Sequence, residues 1–273
     1  STDLLYTYNV PVPPYLYGQY FTNIGTISNK GIEVMINGVP VKTKSLQWNS
    51  ILTFSRNINK LDDLSNEEFT NTSYDIGWLG GDFPLNCQKI VEGEPLGTFY
   101  GPVWLGVDEY GHDTFKNANP VGKVDPEDWE PIGNAYPFCL LGWSNSLSYR
   151  NWNLNFTLRS GIGGKVLNMY RLYYENWTKI GTRNIVETQL DNPEFTGNAT
   201  YSSKYVEDAT FLSIDNIALA YNIPINYKYI SKLGVNLTAQ NVYTFTGYKG
   251  LYPEVDLTGL EPDNEIWPGD DQA

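Results

Sequence analysis

Residues 151–161 read NWNLNFTLRSG, with Trp152, Leu154, Phe156 and Leu158 on one parity and Asn151, Asn153, Asn155, Thr157 and Arg159 on the other. Side chains alternate sides along a strand, so the stretch predicts a strand with one apolar face and one polar face. The period recurs. Ile32, Val34 and Ile36 alternate with Gly31, Glu33, Met35 and Asn37 in KGIEVMING, and Leu46, Trp48, Leu52 and Phe54 alternate with Gln47, Asn49, Thr53 and Ser55 in LQWNSILTFS, where Ser50 and Ile51 blur the middle. Leu141, Trp143, Leu147 and Tyr149 alternate in LGWSNSLSY, as do Leu233, Val235, Leu237 and Ala239 near the end of the chain. FLSIDNIALAYNIP predicts a further strand whose apolar parity shifts around Asp215 and Asn216, as a β-bulge requires. Strands are therefore expected near 31–38, 46–57, 139–149, 151–160, 210–223 and 231–241.

One such strand suits two environments. A soluble sandwich puts the apolar face on a core and the polar face in water, whereas a transmembrane barrel puts them on lipid and on a wet lumen. Two features favour the barrel. The polar parity holds Asn, Gln, Ser, Thr and Gly in place of the Lys and Glu of an ordinary exposed sheet. The connections also sort by length: GVPVKTKS, little more than Arg150, and PINYKYI join successive pairs of strands, while residues 58–138 and 162–209 intervene between them. In an up-and-down arrangement every short link falls at one end and every long one at the other, as in outer-membrane barrels. Within the second long connection, VLNMYRLYYENW (166–177) predicts a short amphipathic helix with Leu167, Tyr170, Tyr174 and Trp177 on one face. Six strands are too few to close around a lumen, so the chain is expected to be one portion of a larger barrel.

Composition narrows the partners. The chain of 273 residues has a formal net charge of −13, which argues against a nucleic-acid backbone as ligand and makes an anionic membrane surface an equally poor target. Aromatic residues make up 15%, with 8 Trp and 21 Tyr, an excess that suits interfacial belts and sugar stacking. No apolar run of about 18 residues is present, and STDLLYTYN lacks the charged and apolar regions of a signal peptide. Cys87 and Cys139 form no zinc-ligand spacing and read as unpaired or structural residues. His112, the sole histidine, has no GxSxG partner and reads as a solvated loop residue.

Three groups carry candidate chemistry. Asp125, Glu127, Asp128 and Glu130 crowd one segment, but glycoside hydrolysis needs two carboxylates set across a bond, and a solvated acidic loop is the expectation. NANPVGKVDPED (117–128) resembles a degenerate calcium loop, with Asn117 and Asn119 at the first and third positions, Gly122 at the turn and Asp128 last; Val121 offers no side-chain oxygen and the last ligand is not Glu. Trp78, Tyr100, Trp104 and Trp129 in the first long connection, and Tyr174 and Trp177 in the second, are candidate glycan-binding aromatics, since an aromatic face stacks on the C–H side of a sugar ring. Trp48, Trp143 and Trp152 are expected on the lipid side or in a belt.

Several segments then resemble one family in its order. NIGTISNKGIEVMING (23–38) resembles the N-I-G-x-x-x-N-K-G-x-E motif of SusC/RagA-like TonB-dependent outer-membrane transporters of Bacteroidota. VEGEPLGTFYGPVWLGVDEYG (91–111) is similar to their G-x-P-x-G-x-F-Y-G…G-V-D segment, and PIGNAYPFCLLGWSNSLSYRNWNLNFTLRSGIGGKVLN (131–168) to the stretch beginning I-G-N-x-x-P. YVEDATFLSIDNIALAYNIP (205–224) and LTAQNVYTFTGYKGLYPEV (237–255) match two more. The resemblance implies an all-β chain of antiparallel up-and-down strands, the C-terminal portion of a large transmembrane outer-membrane β-barrel with long external loops containing a short helix. Over residues 1–273 the plug, the TonB box and the last strand are expected to be absent. The implied partners are a SusD-like surface lipoprotein, the TonB complex through the missing N-terminal part, outer-membrane lipid, and an oligosaccharide or peptide cargo; no cofactor is implied, calcium at the degenerate loop aside. Localisation in the outer membrane of a Gram-negative bacterium follows. The competing expectations are a soluble secreted glycan-binding β-sandwich module and a glycosidase.

Overall fold

The computed structural model describes residues 5–9, 12–13, 16–17, 19–23, 25–65, 73–119, 122–191 and 197–254. A hairpin of β1 (Leu5–Asn9) and β2 (Gln19–Asn23) precedes two long strands, β3 (Thr26–Lys42) and β4 (Leu46–Asp63). A first excursion holds β5 (Ser73–Gly80), β6 (Phe83–Val91), β7 (Thr98–Gly101), β8 (Trp104–Val107), β9 (Asp113–Phe115) and β10 (Glu130–Asn134). Strands β11 (Cys139–Tyr149) and β12 (Trp152–Ile162) follow. A second excursion contains β13 (Lys165–Leu167), helix α1 (Met169–Tyr174) and β14 (Val206–Asp208), and the described part closes with β15 (Phe211–Ile223) and β16 (Leu233–Thr246).

The strands of alternating pattern form one antiparallel wall in the order β16-β15-β12-β11-β4-β3. Its register lines up like with like. Trp48, Leu147, Leu154, Leu219 and Leu237 are successive partners across five strands, and Val34–Phe54–Leu141 and Ile36–Leu52–Trp143–Leu158–Ile214–Tyr243 form parallel rows. The opposite face carries rows such as Asn49–Ser146–Asn155 and Thr53–Gly142–Arg159–Ser213–Thr244. Apolar residues of this wall stay exposed, among them Ile36 at 59%, Leu237 at 74% and Val235 at 63%. No second sheet is packed on that face among the described residues, so the sandwich expectation is not favoured and lipid is the medium the face suits. Asn145 and Ser50 sit opposite one another on this apolar face; the Trp48 indole N–H donates to Asn145 Oδ1 at 2.9 Å and that of Trp143 to Ser50 Oγ at 2.9 Å. Two indoles thereby satisfy polar atoms that lipid cannot.

The expected bulge is present. Thr157 pairs with Asn216 and Leu158 with Ile214, leaving Asp215 outside the ladder. Residues 211–214 therefore keep their even-numbered apolar side chains on the same face as the odd-numbered ones of 217–221, and Asp215 is re-aimed to accept from Arg159 Nε at 3.1 Å. Gly31 of the N-K-G-x-E motif stands opposite Asn57, and a Cβ there would lie 2.0 Å from Asn57 Oδ1.

The links sort as predicted; the first is tighter than expected, and the third, residues 224–232, is slightly longer. The first is only Thr43–Ser45, because β3 continues through a bulge between Gly38 and Val41, and Thr43 Oγ1 accepts from the Leu46 N–H at 2.9 Å. The second is Arg150–Asn151, with Arg150 in the left-handed region at φ 53°. Neighbouring links are tied together: the Arg150 N–H donates to Ser45 O at 2.9 Å and Asn151 Nδ2 to Asn222 O at 2.8 Å.

The long connections depart most from the expectation of loops. Strands β10-β7-β6-β5 form their own sheet, and α1 with β13 and β14 from the second excursion packs on it. The shared core contains Leu79, Cys87 and Phe99 from the first excursion and Leu167, Leu172, Tyr201 and Tyr205 from the second. The two excursions are thus one folded external unit, and among the described residues it holds the larger buried core. Helix α1 is also shorter than predicted and shows the other face. Met169, Arg171 and Leu172 are buried, while Tyr170 and Tyr174 stack on each other at 5.1 Å on the exposed side. The reason is the buried cation: Arg171 meets Glu175 at 2.7 Å and also Glu207, and this group sets which side faces in.

Candidate functional site

The external sheet frames a cleft of about 450 Å³ lined by Asp75, Trp78, Asn86, Gln88, Lys89, Tyr100, Pro126, Glu127 and Trp129, with Pro84 and Leu85 at its apolar end. Strand pairing sets its floor: Trp78 stands opposite Asn86 and Asp75 opposite Lys89, whose ammonium is 3.9 Å from the Asp75 carboxylate. Trp78 is 54% exposed and forms a free aromatic face at the mouth. Trp129, also in the lining, follows the one-turn helix Pro126–Asp128, and its ring centroid lies 5.8 Å from that of Tyr201.

Tyr201 comes from the second excursion and was not legible as part of any site. Its hydroxyl donates to Cys87 O at 2.7 Å and also lies 3.0 Å from Tyr100 O, clamping the strands that carry the cleft. Burial first, and the Cys87 side chain second, push its pKa well above the usual tyrosine value, which keeps the hydroxyl a donor. A spacing signal for Tyr201 does not exist, since it lies 114 residues from Cys87. Tyr100 donates to Glu94 Oε2 at 2.5 Å, and burial together with that carboxylate raises its pKa.

Three of the six aromatic candidates, Trp78, Tyr100 and Trp129, thus meet at one cleft; the other three do not. The Trp104 indole donates to Asp113 Oδ1 at 2.8 Å in a buried group with Lys204, whose ammonium is 3.3 Å from the same oxygen. Burial raises the Asp113 pKa, and the attraction of Lys204 opposes it. Tyr174 belongs to the exposed pair on α1, and Trp177 begins a one-turn helix with its indole N–H buried. Aromatic faces beside amides and two carboxylates suit a polyhydroxylated ligand, and the volume lies within the range of small-molecule clefts.

The remaining candidates are placed as follows. Asp125, Glu127 and Asp128 are exposed, and Glu130 is engaged by Lys116 at 2.7 Å. In the candidate calcium loop, Asn119 Oδ1 accepts from the Lys123 N–H at 3.0 Å and Asn117 Nδ2 donates to Glu130 at 3.4 Å; Pro120 and Val121 lie outside the described residues, as does the chain from residue 255. Among the described residues no group of three or more His, Cys, Asp or Glu is placed to hold a metal ion. His112 is exposed beside Asp108 at 3.5 Å, and Cys87 and Cys139 are buried with no disulfide between them. A second opening of about 440 Å³, lined by Asn29, Asn57, Asn59 and Tyr136 among others, lies where the polar side of β3 and β4 meets the external unit.

No family model matches the chain. It is 28% identical over 286 positions to TonB-dependent receptor P3 of Formosa agariphila, a match covering 94% of this chain and 28% of the relative. It is 27% identical over 279 positions to TonB-dependent receptor SusC of Bacteroides thetaiotaomicron, covering 93% of this chain and 27% of that protein. The chain is a relative of the SusC-like TonB-dependent receptors. The solved RagAB peptide transporter shares the fold of this chain, with a TM-score of 0.74 at 22% identity over 92% of this chain and 29% of the RagAB chain. RagAB in its open-open state gives a TM-score of 0.73 over 98% of this chain. The chain spans less than a third of the length of these curated relatives, and its place is the outer membrane of a Gram-negative bacterium.

Proposed function

We propose that the segment is the C-terminal part of the barrel of an outer-membrane importer that takes up oligosaccharides with a SusD-like surface lipoprotein. The observation that carries this reading is the wall: one face apolar and exposed across six strands, the other lined by neutral polar residues, with every long excursion at the same end. Hydrated solute passes along Asn, Ser, Thr and Gln without tight binding, and the external unit supplies capture. TonB energises the step through the N-terminal part of the full protein. RagAB is a peptide transporter, but here the cleft has aromatic faces, amides and exposed carboxylates with a single lysine, which favours a neutral glycan over an acidic or extended peptide. Transport, not hydrolysis, is the proposed role.

The test is isolation of the native outer membrane in mild detergent and capture with an antibody to the external unit. Recovery of a long TonB-dependent polypeptide together with a lipoprotein, and loss of growth on an oligosaccharide but not on peptide when its gene is deleted, is the expected result. Recovery of a free soluble species of about this chain's size overturns the reading.

A further inference from the structure

In a chain with 31 Asp and Glu against 18 Lys and Arg, the short-link end of the wall has the opposite sign. Residues 34–55, 140–158 and 216–246 contain no Asp or Glu, and their five cations are Lys42, Lys44, Arg150, Lys228 and Lys232. All five lie in or beside the three short links, and all five are exposed. None forms an ion pair with a described carboxylate.

The backbone bonds from the Arg150 N–H to Ser45 O and from the Asn222 N–H to Asn151 O, with the Asn151 side-chain amide donating to Asn222 O, set the three links side by side, so the cations run along one rim. Just above the rim on the apolar face is an aromatic row, Tyr149–Trp152–Tyr221, whose Trp152 and Tyr221 rings lie 4.5 Å apart. Arg150 lies over the Tyr149 ring at 5.4 Å and Lys228 over that of Tyr229 at 5.5 Å, which places cationic heads against rings suited to the interface. An apolar band, then aromatic rings, then unpaired cations is the order met on leaving a bilayer through an anionic headgroup layer.

We propose that this rim binds the phosphates of anionic glycerophospholipids in the periplasmic leaflet, fixing the depth of the barrel while the acidic external unit stays outside. The inference rests on the reading of the short links as periplasmic. The test uses the full-length receptor in nanodiscs made from an equimolar mixture of phosphatidylethanolamine and phosphatidylglycerol, with retained lipid identified by mass spectrometry after detergent exchange. Phosphatidylglycerol is expected to be enriched several-fold, the enrichment to weaken at high salt because exposed charges are screened, and to vanish when Lys42→Gln, Lys44→Gln, Arg150→Gln, Lys228→Gln and Lys232→Gln are combined. If that variant fails to insert, the salt series on the unaltered receptor decides. Equal retention of both lipids by an inserted, transporting receptor overturns this inference alone, and so does an acidic periplasmic protein that replaces lipid as the species lost from the variant. A receptor that never enters the membrane overturns the barrel reading as well.

Discussion

Trp78 and Arg171 show how differently two side chains of the external unit depend on their surroundings. Trp78 is more than half exposed at the mouth of the cleft, so removing its ring costs little folding energy and subtracts a stacking surface. Trp78→Ala should raise the oligosaccharide concentration for half-maximal growth about 2–10-fold, the equivalent of roughly 0.5–1.5 kcal/mol for one aromatic contact, with receptor abundance on immunoblots unchanged. Arg171 is buried between Glu175 and Glu207; burial works against its charge, and the bonds from Glu207 and Glu175 outweigh that and raise its pKa. Arg171→Leu leaves carboxylates exposed to 0% and 12% without their cation, which should destabilise the external unit by about 3–5 kcal/mol and make it sensitive to protease on intact cells. Asp208 supplies a pH dependence. The Thr210 hydroxyl first, then its N–H and Lys165, hold the carboxylate below its usual range. A depressed folded-state pKa means that its stabilising contribution is complete above about pH 4 and is lost as pH falls through the lowered value. Asp208→Asn should therefore lower stability at neutral pH and flatten the acid limb of a tryptophan-fluorescence unfolding profile, the two proteins converging at low pH.

At the level of elements, the bulge at Asp215 reconciles two sequence registers on one face. Because Asp215 is the extra residue, deleting it still leaves Leu212 and Ile214 on the lipid side with Ile217 and Leu219. Deleting Ala218 instead transposes the faces on either side of the cut. The folded, heat-modifiable band of the full receptor on gels should survive the first deletion and disappear with the second. The bulge was visible in sequence because a period-2 pattern reveals any slip. Helix α1 was not: Tyr170 and Tyr174 have helical spacing, yet an arginine satisfied by Glu175 and by Glu207, 36 residues away, turned the other side inward. In the calcium-loop candidate, likewise, Asn119 Oδ1 accepts from the Lys123 N–H, a contact that no spacing rule foresees.

In the whole molecule, the wall and the external unit draw stability from different media. The wall presents its apolar face outward and needs lipid, whereas the external unit buries Phe99, Leu172, Tyr201 and Tyr205 almost completely and has a core of its own. Replacing residues 163–210 of the full receptor by a tight turn should therefore leave a barrel that still inserts, strip the cover from Phe99 and Leu79, and abolish oligosaccharide-dependent growth; limited proteolysis of outer membranes and the growth assay read the two effects. The sequence by itself determined the wall: strand positions, faces, the bulge and the sorting of short from long links all follow from a two-residue period and from link length, which are local properties. It also placed Trp78, Tyr100 and Trp129 among the candidates, on composition. Only the tertiary structure decided that two long connections fold together, that Tyr201 clamps Cys87 and Tyr100, and that three aromatics converge on a cleft while Trp104, Tyr174 and Trp177 do not. The physical reason is that these outcomes depend on contacts between segments about a hundred residues apart, which satisfy buried polar groups and fill a shared core, and no local period encodes them.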